Sequence, residues 1–268
     1  MNSFEALILG FLQGLTEFLP VSSSGHLIVF PKLFGWTDQG LTFDVFLHLG
    51  TLAAVVWYFR KEWQKLTKSV IFWKDPSLIK ERKLTGLILV GILPALVLGG
   101  IFEGFIATSL RLPLVVGINL IFWGLILGIA DRLVKKNKNL IEQEADISPK
   151  KAFLIGLFQA VSLIPGGSRS GLSITGGLFC GLKREAAVRF SFLMATPLIL
   201  GAGLFEGIKA FSLGINSIGW LPLGIGFASA FFSGFLAIRF LVFLARRADF
   251  LPFVIYRLVL GILILIFL

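Results

Sequence analysis

Cysteine is almost missing from this chain. Cys180 is the single thiol, so an intramolecular disulfide cannot form and no Cys spacing suggests a metal site. Histidine is nearly as scarce, with two residues, and no His/Cys set of zinc type exists. Charge is the third shortage: Asp, Glu, Lys and Arg make up 15% of the 268 residues, against about 25% in soluble globular domains. So little charge cannot coat a water-facing surface of this size, which excludes an ordinary soluble domain. A basic n-region is also lacking ahead of apolar residues 4–12, and the polar stretch Gln13 to His26 follows them. A cleaved signal peptide is therefore not expected at the start of the sequence.

What is present is apolar. Hydrophobic residues make up 56% of the chain in long runs from one end to the other, so lipid is the solvent for most of it. The length suits one membrane domain over 1–268, with two repeats of about 1–131 and 152–268 joined by a cytoplasmic loop at 132–151. The net charge of +10 lies in clusters between the runs, at 60–83, 131–151, 183–189 and Arg246–Arg247, which hold nineteen of the 25 Lys and Arg residues. This is how the positive-inside rule distributes charge, so a bilayer and no nucleic acid is expected as partner. A homo-oligomer is compatible with this composition.

Six segments read as transmembrane helices: 42–59, 84–105, 113–131, 190–209, 221–245 and the short 251–268, each close to the roughly 20 residues that cross hydrocarbon. Regions 4–30 and 152–182 differ. In each, an apolar stretch too short to span runs into a polar segment containing Pro and Gly, and a second short apolar stretch follows. These predict two re-entrant hairpins of half-helices, buried by the rest of the protein. The two regions also match each other. Residues 10–27 align with 156–172 after one deletion, placing Gln13 opposite Gln159, Pro20 opposite Pro165 and Ser23 opposite Ser168. Residues 112–118 (LPLVVGI) likewise resemble 251–257 (LPFVIYR). The fold expected is an all-α polytopic membrane protein of two inverted-topology repeats, with six transmembrane helices plus two hairpins. Charge counting puts all four basic clusters in the cytoplasm if both termini lie outside, and the hairpins then enter from opposite faces with their tips near the midplane.

The chemistry sits at those tips. The first carries Gln13, Glu17, Ser22, Ser23, Ser24 and His26. A charge at the bilayer centre costs roughly 2.5–3.5 kcal/mol on insertion scales, so Glu17 is a functional residue by default. Gln13 and Glu17 share a helix face, and His26 is three or four residues beyond Ser23 or Ser22. The second tip reads Gly166, Gly167, Ser168, Arg169, Ser170, with Thr175 beyond. Glycines allow backbone N–H groups close to an anion, a helix start supplies further donors, and the Arg169 fork suits phosphate oxygens. Together the tips suggest a phosphate site. A divalent cation, Mg²⁺ or Ca²⁺, shared by Glu17, Gln13 and the phosphate would offset repulsion by the carboxylate. Asp44 and His48 read as a local pair, and Arg239 and Arg257 as residues that pair with carboxylates or snorkel.

At these residues the chain resembles the undecaprenyl-pyrophosphate phosphatases, a family associated with bacitracin resistance. QGLTE (13–17) is similar to its (E/Q)xxxE motif, PVSSSGH (20–26) to its Ser/His segment, and PGGSRSGLSIT (165–175) to its PGxSRSxxT motif. The resemblance runs from end to end, with Gln rather than Glu at the first motif's first position. It implies hydrolysis of the prenyl pyrophosphate lipid undecaprenyl pyrophosphate to undecaprenyl phosphate and inorganic phosphate at the bacterial inner membrane. This recycles the carrier for peptidoglycan synthesis, at a site open to the outer face. The expected catalytic residues are Ser23, His26, Glu17 and Arg169, with Ser22, Ser24, Gly166, Gly167, Ser168, Ser170 and Thr175 binding phosphate. Ser23 attack with His26 or Glu17 as proton acceptor, His26 attack and direct attack by water all remain open. The rival class is a transporter or flippase, since paired broken helices are also a transporter architecture.

Overall fold

The computed structural model describes residues 2–36, 40–136, 139–213 and 219–268, which are all-helical with no strand. In chain order the helices are α1 (Ser3–Phe18), α2 (Ser23–Phe34), α3 (Gly40–Tyr58), α4 (Arg60–Ile71), α5 (Ile79–Ser109) and α6 (Pro113–Lys136). The second half contains α7 (Pro149–Val161), α8 (Arg169–Phe179), α9 (Arg184–Leu213), α10 (Trp220–Arg247) and α11 (Leu251–Phe267). Among the described residues four helices, α5, α6, α9 and α10, are long and apolar enough to cross a membrane. A fifth is added if α3 and α4 count as one span bent by 80°, and α11 is apolar but shorter, at 17 residues. The chain is a multi-pass helical membrane protein by this measure.

Each polar region does break into two short helices. Asn2 caps α1, accepting from the Glu5 N–H while the Glu5 carboxylate accepts from the Asn2 N–H, and the helix stops at Phe18, just before Pro20. Ser148 caps α7 with Pro149 in its first turn. After each break the next helix starts on a serine with positive φ: Ser22 (φ 75°) before α2 and Ser168 (φ 71°) before α8. Each of these hydroxyls accepts from the N–H three residues on, at Gly25 and Gly171. This corrects the sequence alignment. The structural partner of Ser168 is Ser22 rather than Ser23, and Gln13/Gln159 then align with Ser22/Ser168 without a deletion. Ser23 thus stands opposite Arg169, so one strained corner presents a hydroxyl and the other a guanidinium.

The packing partners of the two halves are exchanged. α1 lies along α10 and α7 along α5, α3 meets α10 while α9 meets α5, and α3–α9 and α6–α11 pair across the halves. Glycine sets the closest approaches. A Cβ on Gly10 would strike the Gly226 carbonyl of α10, and one on Gly156 the Gly91 carbonyl of α5. Small residues of this kind let helices approach within a membrane, where apolar burial alone gives little preference for protein over lipid. Phe18 and Phe192 meet edge-to-face at 5.3 Å in the buried core next to the first break.

The basic clusters come together at one end of the molecule through ion pairs. Arg184 donates to Asp131 at 2.5 Å and Lys135 to Asp249 at 2.6 Å. Arg189 bridges Glu62 and Glu144, each at 3.0 Å, Arg246 pairs with Glu185 at 2.6 Å, and Lys183 pairs with Glu142. A short backbone bridge from Ile141 to Leu182 pins the linker to the end of α8. Segment 60–83, expected as a basic loop, instead contains α4 and a 3-10 turn at Pro76–Leu78.

Candidate active site

Glu17 is the centre of the site. It lies on the last turn of α1, one face of which carries buried Gln13. Its Oε1 accepts from Arg169 Nη2 at 2.7 Å, so the charged residues of the two tips meet directly. Its Oε2 accepts from Ser23 Oγ at 2.6 Å and from Gln13 Nε2 at 3.0 Å. Four residues read from sequence, Gln13, Glu17, Ser23 and Arg169, therefore form one connected cluster. Ser170 ties the tips again by donating to the Leu19 carbonyl at 2.9 Å. Glu17 and Arg169 are both largely removed from water, with side chains 6% and 13% exposed, so loss of either leaves an uncompensated buried charge.

Not every expected residue points into this cluster. His26 Nδ1 donates to the Ser22 carbonyl at 2.7 Å, which leaves Nε2 to accept from the Tyr256 hydroxyl at 2.6 Å. Its ring stacks on Tyr256, and it is the carboxylate of Glu17 that receives the Ser23 hydroxyl. The buried hydroxyls of Ser168 and Thr175 serve the second tip itself, bonding the Gly171 N–H and the Gly171 carbonyl, while that of Ser170 reaches the Leu19 carbonyl of the first. Ser22 is buried as a helix cap, while Ser24 is exposed beside half-buried Ser23. The Gly167 N–H donates to Ile164 within the turn.

Two participants escape the sequence reading. Arg257, expected to snorkel or to find a carboxylate, is fully buried and does neither. Its guanidinium donates to Gly167 O (2.9 Å), Gly166 O (3.1 Å) and Pro20 O (3.4 Å), and to Leu120 O (3.2 Å) and Asn119 O (3.4 Å) of α6. One side chain thus staples both breaks to α6. Arg239, by contrast, is exposed. His48, read as a local partner of Asp44, bonds the Asp44 backbone carbonyl at 2.8 Å, and its Nε2 stands 3.9 Å from Glu17 Oε2. The helical spacing of Asp44 and His48 signalled a pair. Nothing in the sequence signalled that α3 would bring the ring to Glu17.

Two buried atoms here lack protein partners: Gln13 Oε1 and Arg169 Nη1. Arg169 Nη1 is a donor suited to an oxyanion, and Gln13 Oε1 is an oxygen ligand next to a carboxylate. No group of three or more His, Cys, Asp or Glu gathers among the described residues. Gln13 and Glu17 therefore fit a hard cation that draws its remaining ligands from water and substrate, the habit of Mg²⁺.

Fold and site define a multi-pass helical membrane protein with an acid–serine–arginine centre assembled from two broken-helix units. The chain belongs to the family of bacitracin resistance protein BacA, whose model matches residues 6–263. It is 44% identical to undecaprenyl-diphosphatase 2 of Stutzerimonas stutzeri, over 99% of this chain and 98% of that protein. It is 46% identical to the undecaprenyl-diphosphatase of Aliivibrio salmonicida, over 97% of this chain and 96% of that one. The undecaprenyl-diphosphatase of Alteromonas mediterranea is 43% identical over 100% of this chain and 99% of its own length.

Proposed function

We propose that the chain hydrolyses undecaprenyl pyrophosphate to undecaprenyl phosphate and inorganic phosphate, with its centre at the Glu17–Ser23–Arg169 cluster. The product is the lipid carrier for peptidoglycan synthesis, and its recycling accounts for bacitracin resistance. The contact that carries the residue assignment is Ser23 Oγ to Glu17 Oε2 at 2.6 Å, a hydroxyl already donating to a carboxylate. Ser23 Oγ attacks the terminal phosphorus as its proton passes to Glu17. The new O–P bond replaces the phosphoanhydride P–O bond, and undecaprenyl phosphate leaves. Water then hydrolyses the phosphoserine to release inorganic phosphate. Arg169 moves its charge from Glu17 to the phosphate oxygens, and its Nη1 already lacks a protein partner. A divalent cation held by Glu17 and Gln13 would neutralise phosphate charge when bound. His26 positions the α2 corner through its bonds to Ser22 and Tyr256.

The same reading covers the architecture. Six spans and two re-entrant hairpins form two inverted repeats, supported by the matched serine corners and the exchanged helix partners. Both termini then lie outside, the ion-paired basic end faces the cytoplasm, and the site opens to the outer face of the inner membrane. The functional test is phosphate release from undecaprenyl pyrophosphate by purified protein in detergent. Turnover supports the phosphatase, whereas no release together with counterflow in liposomes supports a transporter.

A further inference from the structure

Outside the site, the most unusual surface is the segment that follows α3. With 19 residues at about 1.5 Å each, α3 is nearly as long as the roughly 30 Å hydrocarbon layer, although it reads as a span only together with α4. The chain then bends by 80° into α4, so α4 does not continue the direction of α3. Only Leu66 and Ser69 of α4 are buried, against α5. Directly after them come four exposed apolar residues, Val70 (58%), Ile71 (64%), Phe72 (58%) and Trp73 (63%), left open by the described residues. The backbone of this segment is nonetheless held in place: Arg82 donates to the carbonyls of Ser69, Phe72 and Asp75.

Charge on the same segment is one-sided. Lys61, Lys65, Lys68 and Lys74 are exposed. Of the segment's own carboxylates, Glu62 bonds Arg189 at 3.0 Å and Asp75 the Ser77 N–H and hydroxyl of its own turn, while Lys61 and Lys65 also line a cavity with Glu81, Glu142, Glu144 and Glu185. At the two ends a cation stacks on an aromatic ring, Arg60 over Trp57 and Lys74 over Trp73, both at 5.3 Å. Apolar and aromatic residues beside a row of lysines form the pattern of a helix lying in the interface of a bilayer with anionic lipid.

We propose that α4 and residues 70–74 form a docking surface for acidic phospholipid headgroups. Phe72 and Trp73 enter the acyl boundary, and Lys65, Lys68 and Lys74 hold the headgroup phosphates. The surface is separate from the Glu17 cluster, so it can be removed without touching the phosphatase residues. The test reconstitutes the full chain in bilayers of phosphatidylcholine containing brominated phosphatidylglycerol or, in parallel, brominated phosphatidylcholine, and reads quenching of tryptophan fluorescence. Stronger quenching by the brominated phosphatidylglycerol is expected. The preference should weaken with salt and shrink in Trp73→Phe, which removes one of the six tryptophans and the one seated in the proposed surface. Lys68→Gln should lower the relative affinity by up to about fivefold, and the triple variant K65Q/K68Q/K74Q should abolish the preference. Activity in detergent, unchanged in the triple variant, shows that it is folded. Equal quenching by the two lipids in the wild type overturns the proposal and leaves the lysines for an acidic protein partner. A preference that survives the triple variant overturns it as well.

Discussion

Ser22 and Ser168 sit at φ 75° and 71°, in a region that costs a non-glycine residue about 1–3 kcal/mol unless its surroundings hold it there. What holds each one is its own cap to the N–H of the following glycine, at 3.3 Å for Ser22 and 3.1 Å for Ser168. Ser168→Ala keeps the strain and loses the cap, so thermal unfolding in detergent should show a loss of about 1–2 kcal/mol. Ser168→Gly relieves the strain and should stay within a few tenths of wild type. Equal losses in the two would refute the strained-cap account. Arg257 is the larger single term. Arg257→Met leaves three carbonyls at the two breaks, of Pro20, Gly166 and Gly167, without this donor and should cost about 3–5 kcal/mol, with turnover falling because the tips separate. Arg169→Lys keeps the charge but loses the fork, and kcat should fall about a hundredfold or more. Near-normal turnover would count against the role of the Arg169 fork on phosphate. Glu17, Ser23 and Arg169 were legible in sequence because charge and hydroxyls inside apolar runs are conspicuous. Arg257 and His48 were not: Arg257 looks like an isolated polar residue and His48 like the local partner of Asp44, whereas what they reach are backbone carbonyls and a carboxylate far along the chain.

The broken helices were legible as elements because their apolar halves are too short to cross. The register between them was not. Matching Pro20 with Pro165 forces a deletion, yet the backbone pairs the serine corners and leaves the prolines one step out of phase. Helix α4 was hidden for a different reason: its few apolar residues do follow helical spacing, but Lys and Arg dominate the segment and make it look like a basic loop. The close crossings of α1 on α10 and α7 on α5 rest on Gly10 and Gly156. Gly156→Leu should abolish folded protein on size-exclusion chromatography, whereas the same change at Gly86, whose Cβ would meet nothing within 4 Å, should be tolerated. At the ion-paired end, the hydrogen bond from Lys135 holds Asp249 below its ordinary pKa, and the bond from Lys183 does the same for Glu142. A depressed folded-state pKa adds stability that is fully present above the ordinary carboxylate range and is lost as pH falls from there through the lowered folded-state pKa. Melting temperature should therefore be flat near neutrality and decline in acid. Charge-removed variants Asp249→Asn and Glu142→Gln should show a shallower decline.

At the scale of the whole molecule, two halves with exchanged partners bring a carboxylate and a serine from one break to an arginine from the other. Either half alone would hold an unpaired buried charge, so the site and the pseudo-symmetric pairing stand or fall together. The proposed topology is testable with impermeant thiol reagents, because the native Cys180 is buried and gives a quiet background. Asn2→Cys should label in intact cells and Lys74→Cys only after permeabilisation, and the reverse pattern would invert the orientation.

The most direct test of the cross-tip site is to mix purified enzyme with undecaprenyl pyrophosphate labelled at its terminal phosphate, quench within a single turnover and locate the label by peptide mapping. Label on Ser23, accumulating in wild type and absent in Glu17→Gln, is the predicted result. Label on His26, or turnover with no labelled residue at all, would contradict the assignment.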